Sequence, residues 1–279
     1  MYQIILKIAK KSFIFGSLKR PIIPYYVNLM YFNQKLGKRK QYNVGDYLSL
    51  IIFKFLLKKH NIRSLKSNAT VRFSFIGSII QFLTADSLVY GSGIIYEKAG
   101  DIIAKKGIDL DIRAVRGPKT KLLLEKIGYK VPAVFGDPAI LLPIFYKPLN
   151  ADKKKDFIVI PHWKNINQYE RSNYPILSPL TNNWKNFIDE IASSALVISA
   201  SLHGIILAEA YGVPAILLGE TEHEDLFKYD DYYQSTNRHE YPIAGSIDEA
   251  LSMEIPPVPN LELLQQKLLE NFPIDIFKI

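Results

Sequence analysis

The chain has 279 residues, 48% of them hydrophobic, with a mean hydropathy of +0.02; that is enough for two packed domains and excludes a largely disordered protein. It has no cysteine, which excludes a disulfide framework or a thiolate metal site and fits a reducing cytoplasm. The net charge of +8 is unevenly placed: residues 1–66 carry fourteen Lys and Arg against one acid, Asp46, whereas the remaining 213 residues carry 21 against 26 acids.

No apolar run reaches the length of a membrane span. The apolar stretch near the N-terminus has no small-residue cleavage site after it, which argues against a signal peptide. That opening segment, IILKIAKKSFIFGSLKRPIIPYY, interleaves basic, aliphatic and aromatic residues. Such a pattern suits peripheral contact with an anionic membrane through residues 1–66, a basic groove for an anionic glycan, or a plain solvated face. No nucleic-acid motif accompanies it, so no nucleic-acid partner is expected.

Residues 1–40 are the least regular part. NVGD at 43–46 precedes a helical stretch, YLSLIIFKFLLKKH, with Asp46 placed as N-cap or first-turn residue. ATVRFSFIGSIIQFL predicts a strand, a Gly-Ser turn and a short helix, and DSLVYGSGI a strand and a glycine loop. IDLDIRAVRGPKTKLLLEKIG predicts a strand, a loop and a helix with Pro118 in its first turn and Gly128 past its end. VFGDPAILLP reads as a short strand with a proline-rich exit, and LNADKKKD (149–156) as a linker. FIVIPHWK predicts a strand ending in a loop with His162. WKNFIDEIASSA predicts an amphipathic helix with Phe187, Ile188 and Ile191 on one side. In VISASLHGIILAEAYGVPAILL a strand over 196–200 leads into a loop containing His203, a helix from Ile205 to Tyr211 stopped by Gly212, and a second strand through Leu218. An acidic loop and a last helix, NLELLQQKLLENF, complete the chain. Strands alternate with helices in both halves, which predicts an α/β fold of two Rossmann-like domains with mostly parallel sheets, 1–148 and 149–279.

Ligands in such folds bind at the carboxyl ends of the strands, where the next helix offers free N–H groups. The loops at those ends hold Asn43 and Asp46, Gly77-Ser78, Ser92-Gly93, Arg116, His162, and Ser201 with His203 and Gly204. Each alone reads more readily as a turn, a cap or a structural residue than as a functional one. Brought to one edge, they supply an arginine, two histidines, a carboxylate and N–H donors, a set for an anionic substrate and proton transfer. The five histidines show no metal-ligand spacing, and EHED at 222–225 is a cation site or a solvated acidic loop. There is no nucleophile elbow and no Walker loop.

Seven stretches taken in order, NVGDYLS, FIGSI, VYGSGI, AVRGPKTKLLLEKIG, VFGDPAILLP, IPHW and ISASLHGIILAEAYGVPAILL, resemble the polysaccharide pyruvyltransferase family over about residues 41–235. The resemblance implies a GT-B-like arrangement with the site between two domains. It implies a transferase that moves the pyruvyl unit of phosphoenolpyruvate, its only co-substrate and with no cofactor or metal, onto two hydroxyls of a glycan or lipid-linked oligosaccharide as a cyclic ketal. By position it makes His203 and Asp46 catalytic. Arg116, Ser201, Gly204, Ser92, Gly93 and His162 fall on the donor side and Asn43 on the acceptor side, the basic first domain facing the acceptor and the second the donor. Some members have Arg-Leu-His-Gly where this chain has Ser201-Leu202-His203-Gly204. The work of that arginine then falls to Arg116, to Arg113 or Lys119, or to the helix N-terminus at Gly204. The implied place is the cytoplasm, at the inner face of the membrane. The competing expectation is a GT-B nucleotide-sugar glycosyltransferase, in which Glu209 of EAYGVP would hold the ribose.

Overall fold

A computed structural model describes residues 27–31, 34–36, 39–66, 71–149, 155–219 and 226–279. The basic segment before residue 27, most of the 149–156 stretch and EHED lie outside the described residues.

The first half of the chain contains β1 (Val27–Met30), the hairpin of β2 (Gln34–Leu36) and β3 (Arg39–Gln41), α1 (Val44–Lys59), β4 (Ser64–Leu65), β5 (Val71–Ser74), β6 (Ser87–Tyr90), α2 (Ala99–Ala104), β7 (Leu110–Ala114) and α3 (Pro118–Lys126). A 3-10 turn over Pro138–Leu141 then runs into α4 (Leu142–Phe145). The second half contains β8 (Ile158–Ile160), α5 (Trp184–Ala192), β9 (Val197–Ser199), α6 (Leu202–Ala210), β10 (Ala215–Leu218), α7 (Phe227–Ser235), β11 (Ile243–Ala244), α8 (Ile247–Ser252), α9 (Glu262–Glu270) and β12 (Phe277–Lys278).

Each half has one four-stranded sheet, ordered β1-β5-β6-β7 and β11-β10-β9-β8, and every neighbouring pair in both is parallel. Helices cover such sheets on both faces, which buries strands more fully than an open face would. All residues of β6, β8, β9 and β10 are buried, which is why they read as short unbroken apolar runs. The fold is thus the Rossmann-like, GT-B-like α/β architecture. α5 buries the Phe187, Ile188 and Ile191 stripe, and Gly128 and Gly212 take the left-handed conformation just past α3 and α6.

Four local expectations are corrected. VFGDPAILLP makes no strand: only Val115 and Phe135 form a bridge, because Gly136 turns the chain at φ +134 and Asp137 caps the 3-10 turn. α6 begins at Leu202, three residues before Ile205, because Ser201 is already extended at φ −99, ψ 124; His203 is a first-turn helix residue. The stretch read as acidic loop ends in α7, a helix whose buried face is made of Tyr229, Tyr232 and Tyr233. The irregular first forty residues contain three strands.

One apolar cluster runs through both halves, with Leu48, Phe53 and Tyr90 joined to Ile160, Ile205, Tyr232 and Phe277. The C-terminal segment returns to the first half. β12 pairs antiparallel with β4, the Tyr90 hydroxyl donates to the Leu268 carbonyl, and the Phe272 ring packs among Phe53, His60, Tyr90 and Phe277.

Candidate active site

Two helix N-termini meet between the halves. At the start of α1, Asn43 is the cap: its Oδ1 accepts from the Gly45 N–H at 3.1 Å. The Val44 N–H donates to the Pro179 carbonyl at 2.8 Å, which fixes this helix end to the second half. Asp46 lies in the first turn and is buried. Gly77 lies against it, and a Cβ at that position would be 2.8 Å from Asp46 Oδ1. At the start of α6, the Ser199 hydroxyl donates towards the Ile160 and Ser201 carbonyls and accepts from the Ser201 N–H. The first intrahelical bond is Ile205 N–H to Ser201 carbonyl. The N–H groups of Leu202, His203 and Gly204 precede that bond, and the first turn of a helix leaves such donors without an intrahelical acceptor. Gly204 lies so close to Ser199 that a Cβ would be 2.3 Å from its hydroxyl.

His203 lies where the two ends meet. Its ring packs against Gly45, and its Nε2 lies 3.6 Å from Oδ2 of Asp137, an ion-pair separation longer than a hydrogen bond. Asp137 is fully buried. Its Oδ1 accepts from the Ala139 N–H at 3.0 Å, while its Oδ2 and His203 Nε2 have no hydrogen-bond partner. Burial pushes the Asp46 carboxyl up to about 7; His203 draws it down and Asp137 pushes it up. For His203, burial opposes the charged ring and Arg116 adds to that, but Asp137 and Asp46 outweigh both and hold its pKa above the ordinary histidine value. A carboxyl near 7 and a readily protonated imidazole in one cluster have the titration range that proton transfer at neutral pH uses.

Arg116 adjoins this cluster from behind and is fully buried. Its Nε donates to Asp231 Oδ2 at 2.9 Å, its Nη2 to the Ile94 carbonyl at 2.7 Å, and its Nη1 to the Ser78 hydroxyl. Asp231, on α7, also accepts from the N–H and hydroxyl of Thr120. Gly93 lies on the guanidinium, where a Cβ would be 2.3 Å from Cζ. The other basic candidates are paired as well. Arg113 binds Asp111 and Asp275, and Lys119 binds Asp230 at 2.7 Å.

The remaining residues named from sequence are placed as follows. Ser92 accepts from the Ser74 hydroxyl and donates to the Phe75 carbonyl, a bridge within the first sheet. His162 is half-buried beyond β8, and burial, with Lys228 and Lys164, lowers its pKa to about 3, so it stays neutral at physiological pH. Ser201 occupies the N-cap of α6 without making a side-chain cap bond. Glu209 is closed off: Arg238 holds both its oxygens at 2.7 Å and the Tyr232 hydroxyl donates to one at 2.6 Å. A ribose-binding glutamate needs those oxygens open, so the geometry disfavours the nucleotide-sugar reading.

Asp137 was not singled out from the sequence. An Asp before Pro reads as a cap, and only the fold shows that its second oxygen faces His203. Asp231 carries no local signal. Among the described residues, no cluster of three His, Asp or Glu side chains is placed to hold a metal ion.

Two Rossmann-like halves with a buried acid–histidine cluster between their helix N-termini define an α/β protein with a candidate site at strand carboxyl ends. The chain belongs to the polysaccharide pyruvyl transferase family, whose sequence model matches residues 43–222, a span that holds Asp46, Arg116, Asp137 and His203. It is 30% identical over 208 residues to the succinoglycan biosynthesis protein ExoV of Rhizobium meliloti (strain 1021), covering 69% of this chain and 61% of that protein. It is 27% identical over 177 residues to an uncharacterized protein of Acanthamoeba polyphaga mimivirus, covering 59% and 60% respectively. The matched region thus spans about three-fifths of the length of each relative.

Proposed function

We propose that the protein transfers the pyruvyl unit of phosphoenolpyruvate to two hydroxyls of a glycan sugar, giving a cyclic ketal and inorganic phosphate. The observation that carries this reading is the placing of Asp46 and His203 in the first turns of two helices that touch through Gly45 and the His203 ring, in a chain of the pyruvyl transferase family. The His203 imidazolium gives its proton to the methylene carbon of the donor. The double-bond electrons form the new C–H bond and leave an oxocarbenium centre at the adjacent carbon. One sugar hydroxyl adds there and passes its proton to Asp46. The carbon–oxygen bond to phosphate then breaks and the second hydroxyl closes the ring. Of the two hydroxyl protons, one replaces that given by His203 and the other leaves with phosphate.

The donor carries a carboxylate and a phosphate. With Arg113, Arg116 and Lys119 each paired to an acid, the first-turn N–H groups of Leu202, His203 and Gly204 support an anion site at the start of α6. Arg116 contributes positive charge from behind. Ser201 and Gly204 line the donor side and Asn43 the acceptor side. The test is incubation with phosphoenolpyruvate and a panel of synthetic and lipid-linked glycans. A mass gain of one pyruvyl ketal with stoichiometric phosphate supports the reading; phosphate release without a modified glycan, or no reaction across the panel, counts against it.

No helix among the described residues is long and apolar enough to cross a membrane. The fourteen basic residues of 1–66 support peripheral contact with an anionic membrane at the cytoplasmic face, each contributing about 1 kcal/mol. Equal sedimentation with neutral and anionic vesicles would remove the electrostatic part of this proposal.

A further inference from the structure

A helix cap needs one carboxylate oxygen, and Asp137 has two. Oδ1 caps the 3-10 turn through the Ala139 N–H. Oδ2 is buried, has no hydrogen-bond donor, and lies 3.6 Å from the equally unpartnered Nε2 of His203. A buried carboxylate oxygen left without a donor is costly; a cap alone would be served as well by Ser or Asn. The position is also tightly fixed. Gly136 donates its N–H to the carbonyls of Val115 and Arg116, and Pro138 packs on Gly91. The 3-10 turn that Asp137 caps packs against both α1 and α6, the helices that carry Asp46 and His203.

We propose that Asp137 is a positioning residue: its Oδ2 orients the His203 ring, keeps it protonated for transfer, and leaves Asp46 as the carboxyl that meets substrate. This rests on the acid role given to His203 above. The charged groups facing that ring are Asp46 from α1, Asp137 from the loop after Phe135, and Arg116 from the loop after β7. Of these, Asp46 and Asp137 favour the imidazolium and Arg116 opposes it.

Asp137→Asn tests the proposal, because Asn keeps a cap oxygen for Ala139 and removes the charge. The first measurement is an NMR titration of the His203 ring without substrate, assigned by its loss in His203→Gln. The His203 midpoint should fall by about one pH unit or more, the scale of a lost neighbouring carboxylate. The second is the pH–rate profile. The fall in turnover on the alkaline side should move to lower pH by the same amount, so that the variant is weakest above neutrality and approaches wild type in acid. An unchanged midpoint overturns the proposal whatever the reaction is, as does a loss of turnover equal at all pH values. A shifted midpoint in a protein that transfers no pyruvyl group leaves the proposal standing and removes the reaction. Asp137→Ser, which retains a cap oxygen, serves the same measurements if the Asn variant does not fold, with the same outcomes decisive.

Discussion

His203 and Gly45 are in contact across the two halves: a Cβ at Gly45 would be 2.1 Å from the imidazole Nδ1. No side chain fits there, so Gly45→Ala must displace either the ring or the start of α1. Helix propensity alone would favour Ala by about 1 kcal/mol, and any loss of stability therefore reports the contact. Turnover should fall by about 10²-fold or more, the usual cost of misplacing a reacting group by an ångström. Steady-state kinetics with a denaturant midpoint on the same sample check both.

His203→Ala removes the proposed proton donor and leaves the neighbouring backbone as it is. Turnover should drop by about 10²–10⁴-fold, with far-ultraviolet circular dichroism unchanged. A folded variant keeping more than about a tenth of wild-type turnover would remove His203 from the reaction on that scale.

Stability should fall as pH rises towards neutrality. Asp46 binds its proton more tightly in the folded chain than at its unfolded pKa of 3.8. Its stabilising contribution is complete below that value and is lost as pH climbs to about 7. His203, also raised above its unfolded 6.5, loses its contribution in the same direction as pH passes its folded value. Asp46→Asn cannot ionise, so it should be more stable than wild type at pH 8 by about 2 kcal/mol or more, with little difference near pH 4. Urea midpoints across that range give the slope directly, and a flat wild-type profile would contradict it.

The Arg116–Asp231 pair has both side chains fully buried and joins the loop before α3 to α7. Asp231→Ala leaves a buried guanidinium without its carboxylate and should cost about 3–5 kcal/mol. Equilibrium unfolding measures it; a cost below about 1 kcal/mol, the value of an exposed pair, would show that water reaches the site.

Much of the architecture was legible because parallel strands buried on both faces announce themselves as apolar runs, and Pro118, Gly128 and Gly212 mark helix ends by their backbone geometry alone. α7 was not legible: FKYDDYYQS has little helix propensity and no aliphatic stripe, and it is held by tyrosines whose partners lie elsewhere in the chain. Asp46 and His203 stood out because each sits in a short loop-and-cap context. Asp137 lay inside a stretch read as a short strand, and nothing local shows that one of its oxygens caps the next turn while the other faces a histidine 66 residues away. Arg116 was named from the sequence as a donor-side arginine, and its saturation by Asp231, Ser78 and Ile94 depends on three distant segments meeting.

The return of the C-terminal segment to the first half has a consequence for how the chain is made. Phe272 fills the aromatic layer among Phe53, Tyr90 and Phe277, and β4 has β12 as its neighbour. A ribosome that has released the first sheet has therefore produced a layer with its central ring missing and a strand without its mate. Order of synthesis is not order of assembly: Phe53, Tyr90 and β4 wait, with apolar surface uncovered, for residues made much later. Nascent chains halted after α8 should remain protease-sensitive around β4 and His60, and extension through Lys278 should protect both at once.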